Sequence, residues 1–84
     1  MYSVFYTSAA SRQLRRLPRD VATRILIAVE SFTANPRTPQ TEKLEGASGV
    51  YRLRIGDYRV LYTIDDALRR VVISRVRHRR DAYR

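Results

Sequence analysis

The fold is decided by the stretch Val50–Ile64, which reads VYRLRIGDYRVLYTI. Apolar and polar residues alternate on both sides of the pair Gly56-Asp57, and a period of two residues is typical of a half-buried β-strand. Glycine at the first central position suits a two-residue type II′ turn, which joins two antiparallel strands. The stretch therefore predicts a β-hairpin that turns at Gly56-Asp57.

A two-residue turn fixes which side chains share a face of the hairpin, because side chains alternate along each strand. The apolar face is Tyr51, Leu53, Ile55, Tyr58, Val60, Tyr62 and Ile64, and the opposite face carries Arg52, Arg54 and Arg59. Arg54 would lie directly opposite Arg59, and like charges in that position are destabilising. The basic face thus suggests a surface for a polyanion, since guanidinium forks match phosphate oxygens. A solvated face without a ligand is the alternative.

Composition indicates the kind of partner that such a surface would meet. The 84-residue chain has a net charge of +9, and Lys43 is the only one of its 17 basic residues that is not arginine. This charge favours nucleic acid, an acidic protein or an anionic membrane surface as the partner. A GC-rich genome also produces an arginine bias, so the bias alone does not assign a function.

Several classes of protein are disfavoured by what the sequence lacks. Without cysteine, the chain forms neither a disulfide nor a thiolate metal site. His78 is the only histidine and the carboxylates show no ligand spacing, so we expect no metal and no cofactor. No apolar run approaches the roughly 20 residues that span a membrane, and we identify no signal peptide. We therefore expect a cytoplasmic protein without a membrane partner.

The first half of the chain predicts one strand and two helices. Tyr2–Tyr6 is a β-branched and aromatic run, and apolar spacing predicts a helix over about residues 8–17, capped by Thr7 or Ser8. Pro18 suits the first position of a second helix. A broad apolar stripe predicts that this second helix is well buried. The stripe comprises Val21, Ile25, Ala28, Val29 and Phe32, broadened by Leu26 and Ile27.

The second half of the chain completes a small sheet. Residues from Pro36 to Gly49 have the composition of a loop, and the hairpin follows. Arg70–Val76 predicts a last strand that is apolar on both faces and therefore central. The order β-α-α-β-β-β predicts one α+β domain over residues 1–84, with a small, mainly antiparallel sheet and an N-terminal helix hairpin packed on one face.

The chemistry that remains is a basic sheet face and a C-terminal segment rich in His, Arg and Tyr, and one reaction to weigh against it is metal-free RNA cleavage. Such cleavage needs a base for the 2′-hydroxyl, cations that stabilise charge on the phosphate, and an acid for the leaving group. Arginine is a good clamp but holds its proton too tightly to carry it. The candidate proton carriers are His78 and Tyr83. Each has an ordinary alternative, as a surface histidine and as a packing aromatic residue.

Three blocks of sequence, together with this layout, resemble the RelE/ParE toxin superfamily. They are Lys43-Leu44-Glu45-Gly46, the hairpin from Tyr51 to Tyr62, and the ending Arg77-His78-Arg79-Arg80-Asp81-Ala82-Tyr83. RelE-like members are toxins of type II toxin–antitoxin systems. Their fold resembles microbial ribonucleases, and they typically cleave mRNA in the ribosomal A site. ParE-like members share the fold and act on DNA gyrase.

The resemblance implies roles for four arginines. Arg52 and Arg54 match two basic residues on the first hairpin strand, which are usually lysines in the family. Arg59 matches the arginine of a Gly-Tyr-Arg element, into which Asp57 is inserted here. Arg79 matches the arginine after the last strand. These residues would bind the phosphate and stabilise the transition state.

The resemblance also implies a place for the proton carriers. Tyr83 matches a C-terminal tyrosine that stacks on a base or helps to activate the 2′-hydroxyl. If a lysine amine carries protons in the family, Arg52 and Arg54 are poorer substitutes, and the task falls on His78 or Tyr83. Arg77 replaces a glycine that is common at its position.

Two functions follow from the two branches of the family. The first is a metal-independent, ribosome-dependent mRNA endoribonuclease that inhibits translation, with the 70S ribosome and mRNA as partners. The second is a ParE-like, non-enzymatic inhibitor of DNA gyrase. The retained basic set and terminal tyrosine favour the first, and a plain nucleic-acid-binding module would explain the charge only. Either toxin implies a cognate acidic, RelB-like antitoxin, partly disordered until it binds.

Overall fold

The computed structural model describes residues 1–44, 46 and 49–80, and it confirms the α+β class. Its elements are β1 (Ser3–Tyr6), α1 (Ser8–Arg15), α2 (Arg19–Glu30), a 3₁₀ turn (Ser31–Thr33), β2 (Thr41–Lys43), β3 (Val50–Ile55), β4 (Tyr58–Asp65) and β5 (Arg70–His78). The sheet has the order β1-β5-β4-β3-β2. β1 is parallel to β5 and the other pairs are antiparallel.

The hairpin forms with the predicted register. Arg54 pairs with Arg59 and Ile55 pairs with Tyr58, which leaves two residues in the turn. Gly56 has a φ of +56° and Asp57 does not have a positive φ, the combination expected of a type II′ turn. Glycine is favoured here because a Cβ is strained at such a φ.

The core lies between the helices and one face of the sheet. The predicted apolar face of the hairpin is confirmed: three of its residues are buried and the other four pack partly buried against the core. The buried apolar residues are Ala10, Ile25, Val29 and Phe32 from the helical segments, and Leu53, Val60, Tyr62, Val71, Ile73 and Val76 from the sheet.

The buried Tyr62 ties the loop after α2 to this core. Its ring centroid lies 4.6 Å from that of Phe32, and its hydroxyl donates to the Pro36 carbonyl oxygen at 2.7 Å. Burial raises the pKa of Tyr62 to about 12, so the hydroxyl remains a donor throughout the neutral range.

The helices differ from the prediction at their ends and in burial. Thr7 is the N-cap of α1, as predicted, and its hydroxyl accepts from the Ala10 amide at 3.1 Å. Helix α1 ends two residues early, and Pro18 is the N-cap of α2 rather than its first residue. The prediction that α2 is well buried, with Leu26 and Ile27 broadening its buried stripe, is wrong, because Leu26 is 47% and Ile27 65% exposed. Helix α2 buries one stripe against the sheet and presents its other side to solvent.

The predicted loop from Pro36 to Gly49 contains a strand. Thr41–Lys43 forms β2 at the edge of the sheet, where Glu42 pairs with Arg52 of β3. Three polar residues are too few to show a period, so hydrophobic periodicity carries no signal for this strand. The central position predicted for the last strand is confirmed, because β5 lies between β1 and β4. Within the described residues, no helix is long and apolar enough to cross a membrane.

A polar cluster holds the end of the sheet that is remote from the hairpin turn. Arg37 donates to both carboxylate oxygens of Asp66, at 3.0 and 2.8 Å, and to the Tyr51 hydroxyl at 3.1 Å. The Tyr2 hydroxyl donates to the same carboxylate at 2.6 Å. The cluster joins the loop after α2 to β3, to the β4–β5 turn and to the residue before β1. The bonds from Arg37, and then that from Tyr2, lower the pKa of Asp66 to about 2.

We expect Asp66→Asn to remove a pH-dependent part of the stability. The folded-state pKa of Asp66 lies below its ordinary value of 3.8, so its contribution is present above about pH 4 and is lost as the pH falls towards 2. The variant should melt at a lower temperature than the wild type near neutral pH, and the two melting temperatures should converge near pH 2. Thermal melts monitored by circular dichroism across this range test the prediction. Glu30→Gln, at an exposed position at the end of α2, is the control. Parallel curves for wild type and Asp66→Asn would contradict the prediction.

Candidate functional site

The face of the sheet opposite the core carries arginines in rows across three strands. Arg54 pairs with Arg59, and Arg59 pairs in turn with Arg77, so one row crosses β3, β4 and β5. In the next row, Leu61 lies between Arg52 and Arg75. We call these five arginines, at positions 52, 54, 59, 75 and 77, the arginine face. Cβ atoms of directly paired residues lie about 5 Å apart, so the face concentrates positive charge.

Three of the predicted site residues line one pocket at the hairpin end of this face. The pocket has a volume of about 300 Å³ and is lined by Arg54, Gly56, Asp57, Arg59 and Arg79. We call it the arginine pocket. The Arg79 amide donates to the Asp57 carbonyl oxygen at 2.6 Å, which anchors the segment after β5 to the turn. The side chains of the same two residues form only a long contact of 3.9 Å between exposed groups, so the guanidinium stays available to an anion.

Arg52 lies on the same face but is engaged by an acidic residue. Its Nη2 donates to Glu42 Oε2 at 2.6 Å, and its side chain is only 18% exposed. Its Nε is buried and has no hydrogen-bond partner among the described residues. Glu42 belongs to β2, the strand that sequence reasoning took for a loop. The charge of Arg52 is therefore partly neutralised, in contrast to that of Arg54.

The structure separates His78 from the arginine face. His78 pairs with Tyr58, whose side chain belongs to the core side of the sheet, and the two rings meet edge to face at 5.0 Å. His78 Nδ1 accepts from the Arg80 amide at 3.1 Å. The ring lines an open cleft of about 800 Å³ beside α1, and this cleft meets the arginine pocket at Asp57 and Arg79. Tyr83, the other candidate proton carrier, lies outside the described residues.

Sequence reasoning missed Arg75 and Arg77 as members of the face. A register shift between Leu61 and Tyr62 marks a β-bulge, and it changes the side to which the later residues of β5 point. One irregularity in the sequence reflects the bulge. The buried residues Val71 and Ile73 are two positions apart, but the next buried apolar residue is Val76, because position 75 is an arginine. Hydrophobic periodicity alone does not identify which residue is the extra one.

The arrangement suits the binding of anions and the stabilisation of negative charge. Planar guanidinium groups pair with phosphate oxygens through two parallel hydrogen bonds. Within the described residues, no group of three His, Cys, Asp or Glu side chains could hold a metal ion. Because arginine does not readily release its proton, acid–base chemistry at the pocket needs another side chain.

Comparisons with known proteins agree on one family. A model of the family described as "ParE toxin of type II toxin-antitoxin system, parDE" matches residues 4–83. The chain is similar to Toxin RelG of Mycobacterium tuberculosis, with 39% identity over 99% of this chain and 97% of that protein. It is similar to Toxin RelE of the same organism, with 35% identity over 99% and 87%. The archaeal RelE–RelB complex from Pyrococcus horikoshii contains a chain with the same fold, with a TM-score of 0.81, 28% identity and coverage of 93% and 94%.

We expect Glu42→Gln to strengthen binding of a polyanion to the arginine face. The glutamine keeps a hydrogen-bond acceptor beside Arg52 but removes the charge that neutralises it, so affinity for a short single-stranded oligonucleotide should rise severalfold. Fluorescence anisotropy at low salt measures this change. Glu30→Gln, at an exposed position on α2, makes the same change in net charge away from the face. Equal effects of the two substitutions would show that net charge alone is responsible.

Proposed function

The chain belongs to the RelE/ParE toxin superfamily, in its RelE-like branch, and from this premise we propose that it is a metal-independent endoribonuclease that cleaves mRNA. It is a toxin of a type II toxin–antitoxin system. One observation carries the proposal of nuclease activity: Arg54, Arg59 and Arg79 line a single pocket of about 300 Å³, which has room for a phosphate group. Each of the three also matches a basic position of the family.

The pocket would act on the phosphate at the cleaved bond. A base removes the proton of the 2′-hydroxyl, the 2′-oxygen attacks phosphorus, and the bond from phosphorus to the 5′-oxygen breaks. The 5′-oxygen takes up a proton, and the products are a 2′,3′-cyclic phosphate and a 5′-hydroxyl. Arg59 and Arg79 stabilise the negative charge that develops on the phosphate oxygens. Loss of one such donor typically costs about 10²–10³ in rate.

Two side chains are candidates for the proton transfers, Tyr83 and His78. Histidine is well suited to proton transfer near neutral pH, but His78 lies on the core side of the sheet and reaches the pocket only around the hairpin end, past Arg79. Tyr83 follows four residues after Arg79 in the sequence and matches the tyrosine of the family. We assign the base role to Tyr83 first, and Arg52 to binding in the second row of the face.

The net charge of +9 supports a target rich in phosphate. A basic surface gains affinity when counterions leave a nucleic acid, so we assign the translating 70S ribosome with its mRNA, in the cytoplasm, as the target. The archaeal relative is a RelE solved together with RelB, which supports a RelB-like antitoxin as the natural partner of this chain. An acidic antitoxin segment would neutralise the toxin by covering its charge.

The second candidate function is the non-enzymatic inhibition of DNA gyrase. It is favoured by the matching family model, whose description names ParE. The arginine pocket favours the nuclease, because a protein that only binds gyrase has no need of three convergent guanidinium groups.

We expect Arg59→Ala and Tyr83→Phe to weaken cleavage of mRNA in cells. Primer extension on a reporter mRNA after induction should show new 5′ ends with the wild type. Those ends should fall by about 10²-fold with Arg59→Ala, which removes a transition-state donor, and clearly with Tyr83→Phe. Arg12→Ala, at an exposed position on α1, should cleave as the wild type does. Growth arrest without new ends, unaffected by either site substitution, would overturn the nuclease proposal and favour gyrase.

We expect capture of the cognate antitoxin to depend on charge. Because the toxin carries +9, an acidic antitoxin segment should bind tightly at low salt and lose affinity as salt screens the contact. Isothermal titration at several salt concentrations measures this dependence. Affinity that does not change with salt would contradict an electrostatic mode of neutralisation.

A further inference from the structure

Strand β5 changes its buried side part-way along its length. In its first half the buried residues are Val71 and Ile73, two positions apart, whereas the next buried residue is Val76. The register with β4 runs from Tyr62 opposite Ile73 to Leu61 opposite Arg75, so Ser74 is the extra residue of a β-bulge. Bulges often redirect side chains beside functional sites.

The bulge decides where two arginines point. In a regular strand, with Ser74 paired and no bulge, Arg75 and Arg77 would continue the buried series of Val71 and Ile73. With the bulge, Arg75 lies beside Leu61 and Arg77 beside Arg59, on the arginine face. The free-energy cost of burying two unpaired guanidinium groups in a core of this size would prevent folding. The bulge is therefore what allows β5 to carry arginines after its apolar half.

Specific hydrogen bonds hold the bulge in place. The Ser74 hydroxyl donates to the Leu61 carbonyl oxygen at 3.1 Å, and the Thr7 hydroxyl donates to the Ser74 carbonyl oxygen at 3.0 Å. The Thr7 amide donates to the Ile73 carbonyl oxygen at 3.0 Å. The N-cap of α1 thus also fixes the backbone on which Arg75 and Arg77 stand.

The guanidinium groups of Arg75 and Arg77 are available to a ligand. Among the described residues, neither Arg75 nor Arg77 makes a side-chain hydrogen bond or ion pair, whereas Arg52 of the same face is matched by Glu42. Arg77 lies directly opposite Arg59 on the neighbouring strand, so the row carries like charges side by side. Neighbouring strands lie about 4.8 Å apart, so the row from Arg54 to Arg77 extends roughly 10 Å, beyond the reach of one phosphate group.

We infer that Arg75 and Arg77 bind phosphates next to the one that is cleaved, so that a single-stranded RNA crosses the sheet from β3 to β5. The inference rests on the proposed function, because it takes RNA as the substrate. The arginine pocket would hold the reacting phosphate, and the arginines of β5 would hold the adjoining backbone. Their role is to position the strand; they do not touch the reacting atoms.

Salt-dependent binding tests this role separately from cleavage. An uncleavable, fully 2′-O-methylated single-stranded RNA is titrated with the purified chain by fluorescence anisotropy, from about 50 to 300 mM salt. Each phosphate contact contributes about 0.7 to the slope of log K against log salt for a single strand. We expect Arg77→Gln and Arg75→Gln each to reduce the slope by about 0.7, and the double variant by about 1.4. Arg77→Lys should retain the slope, because it retains the charge.

Matched variants separate this inference from general charge effects and from misfolding. Arg12→Gln on α1 removes the same charge away from the face and should leave the slope almost unchanged. The melting temperature of Arg77→Gln should equal or exceed that of the wild type, because the positive charge opposite Arg59 is removed, and that of Arg75→Gln, opposite Leu61, should equal it. An equal loss of slope in Arg12→Gln, or an unchanged slope in the double variant, would overturn the inference.

Two further outcomes distinguish this inference from the proposed function. If the variants reduce the slope but the wild-type toxin makes no cuts in cells, the binding of RNA phosphates by Arg75 and Arg77 would be supported and the nuclease proposal would be overturned. Normal slopes in the β5 variants, combined with weakened antitoxin capture, would overturn the inference. They would show that Arg75 and Arg77 bind the antitoxin instead of RNA.

Discussion

The structure depends on the alternation of side chains along the three central strands. A strand sends successive side chains to opposite faces, and a slip of one residue would exchange the core for the arginine face. Two local features set this alternation. The turn at Gly56, with its φ of +56°, fixes β3 against β4. The bulge at Ser74 resets β5 against β4, so that Val76 is buried and the arginines beside it are not.

The two ends of the sheet handle charge in opposite ways. At the end remote from the hairpin turn, Arg37 and Asp66 form a complete ion pair that Tyr2 and Tyr51 extend. At the hairpin end, arginines face arginines across the strands. In water the repulsion between such a pair is small, about 1 kcal/mol at a separation of about 4 Å. A chain with only a small core can therefore keep a repulsive face if its other end is firmly held, and a bound polyanion would remove the repulsion.

The parts of the fold that sequence predicts are those governed by simple local rules. The alternation of apolar and polar residues around Gly56 was sufficient to predict the register of the hairpin, and this register places Arg54 opposite Arg59. Strand β2 was missed because Thr41–Lys43 is short and polar, and its pairing with β3 is a tertiary event. The exposure of Ile27 was missed because apolar spacing does not reveal how far the sheet extends beneath a helix. The bulge was missed because hydrogen bonds from distant residues, Thr7 among them, select the extra residue.

The proposed nuclease site would divide the binding of charge from the movement of protons. Where the family usually has lysines, this chain has Arg52 and Arg54, and arginine gains bidentate phosphate binding while giving up ready proton exchange. Glu42 partly neutralises the charge of Arg52. In the proposed nuclease, the arginines of the sheet would supply the electrostatics, and the proton carriers would be His78, the last residue of β5, or Tyr83 after it. Such a division leaves an antitoxin two means of silencing the toxin. In that proposal, it would occupy the positive face, or it would withdraw the segment that carries Tyr83.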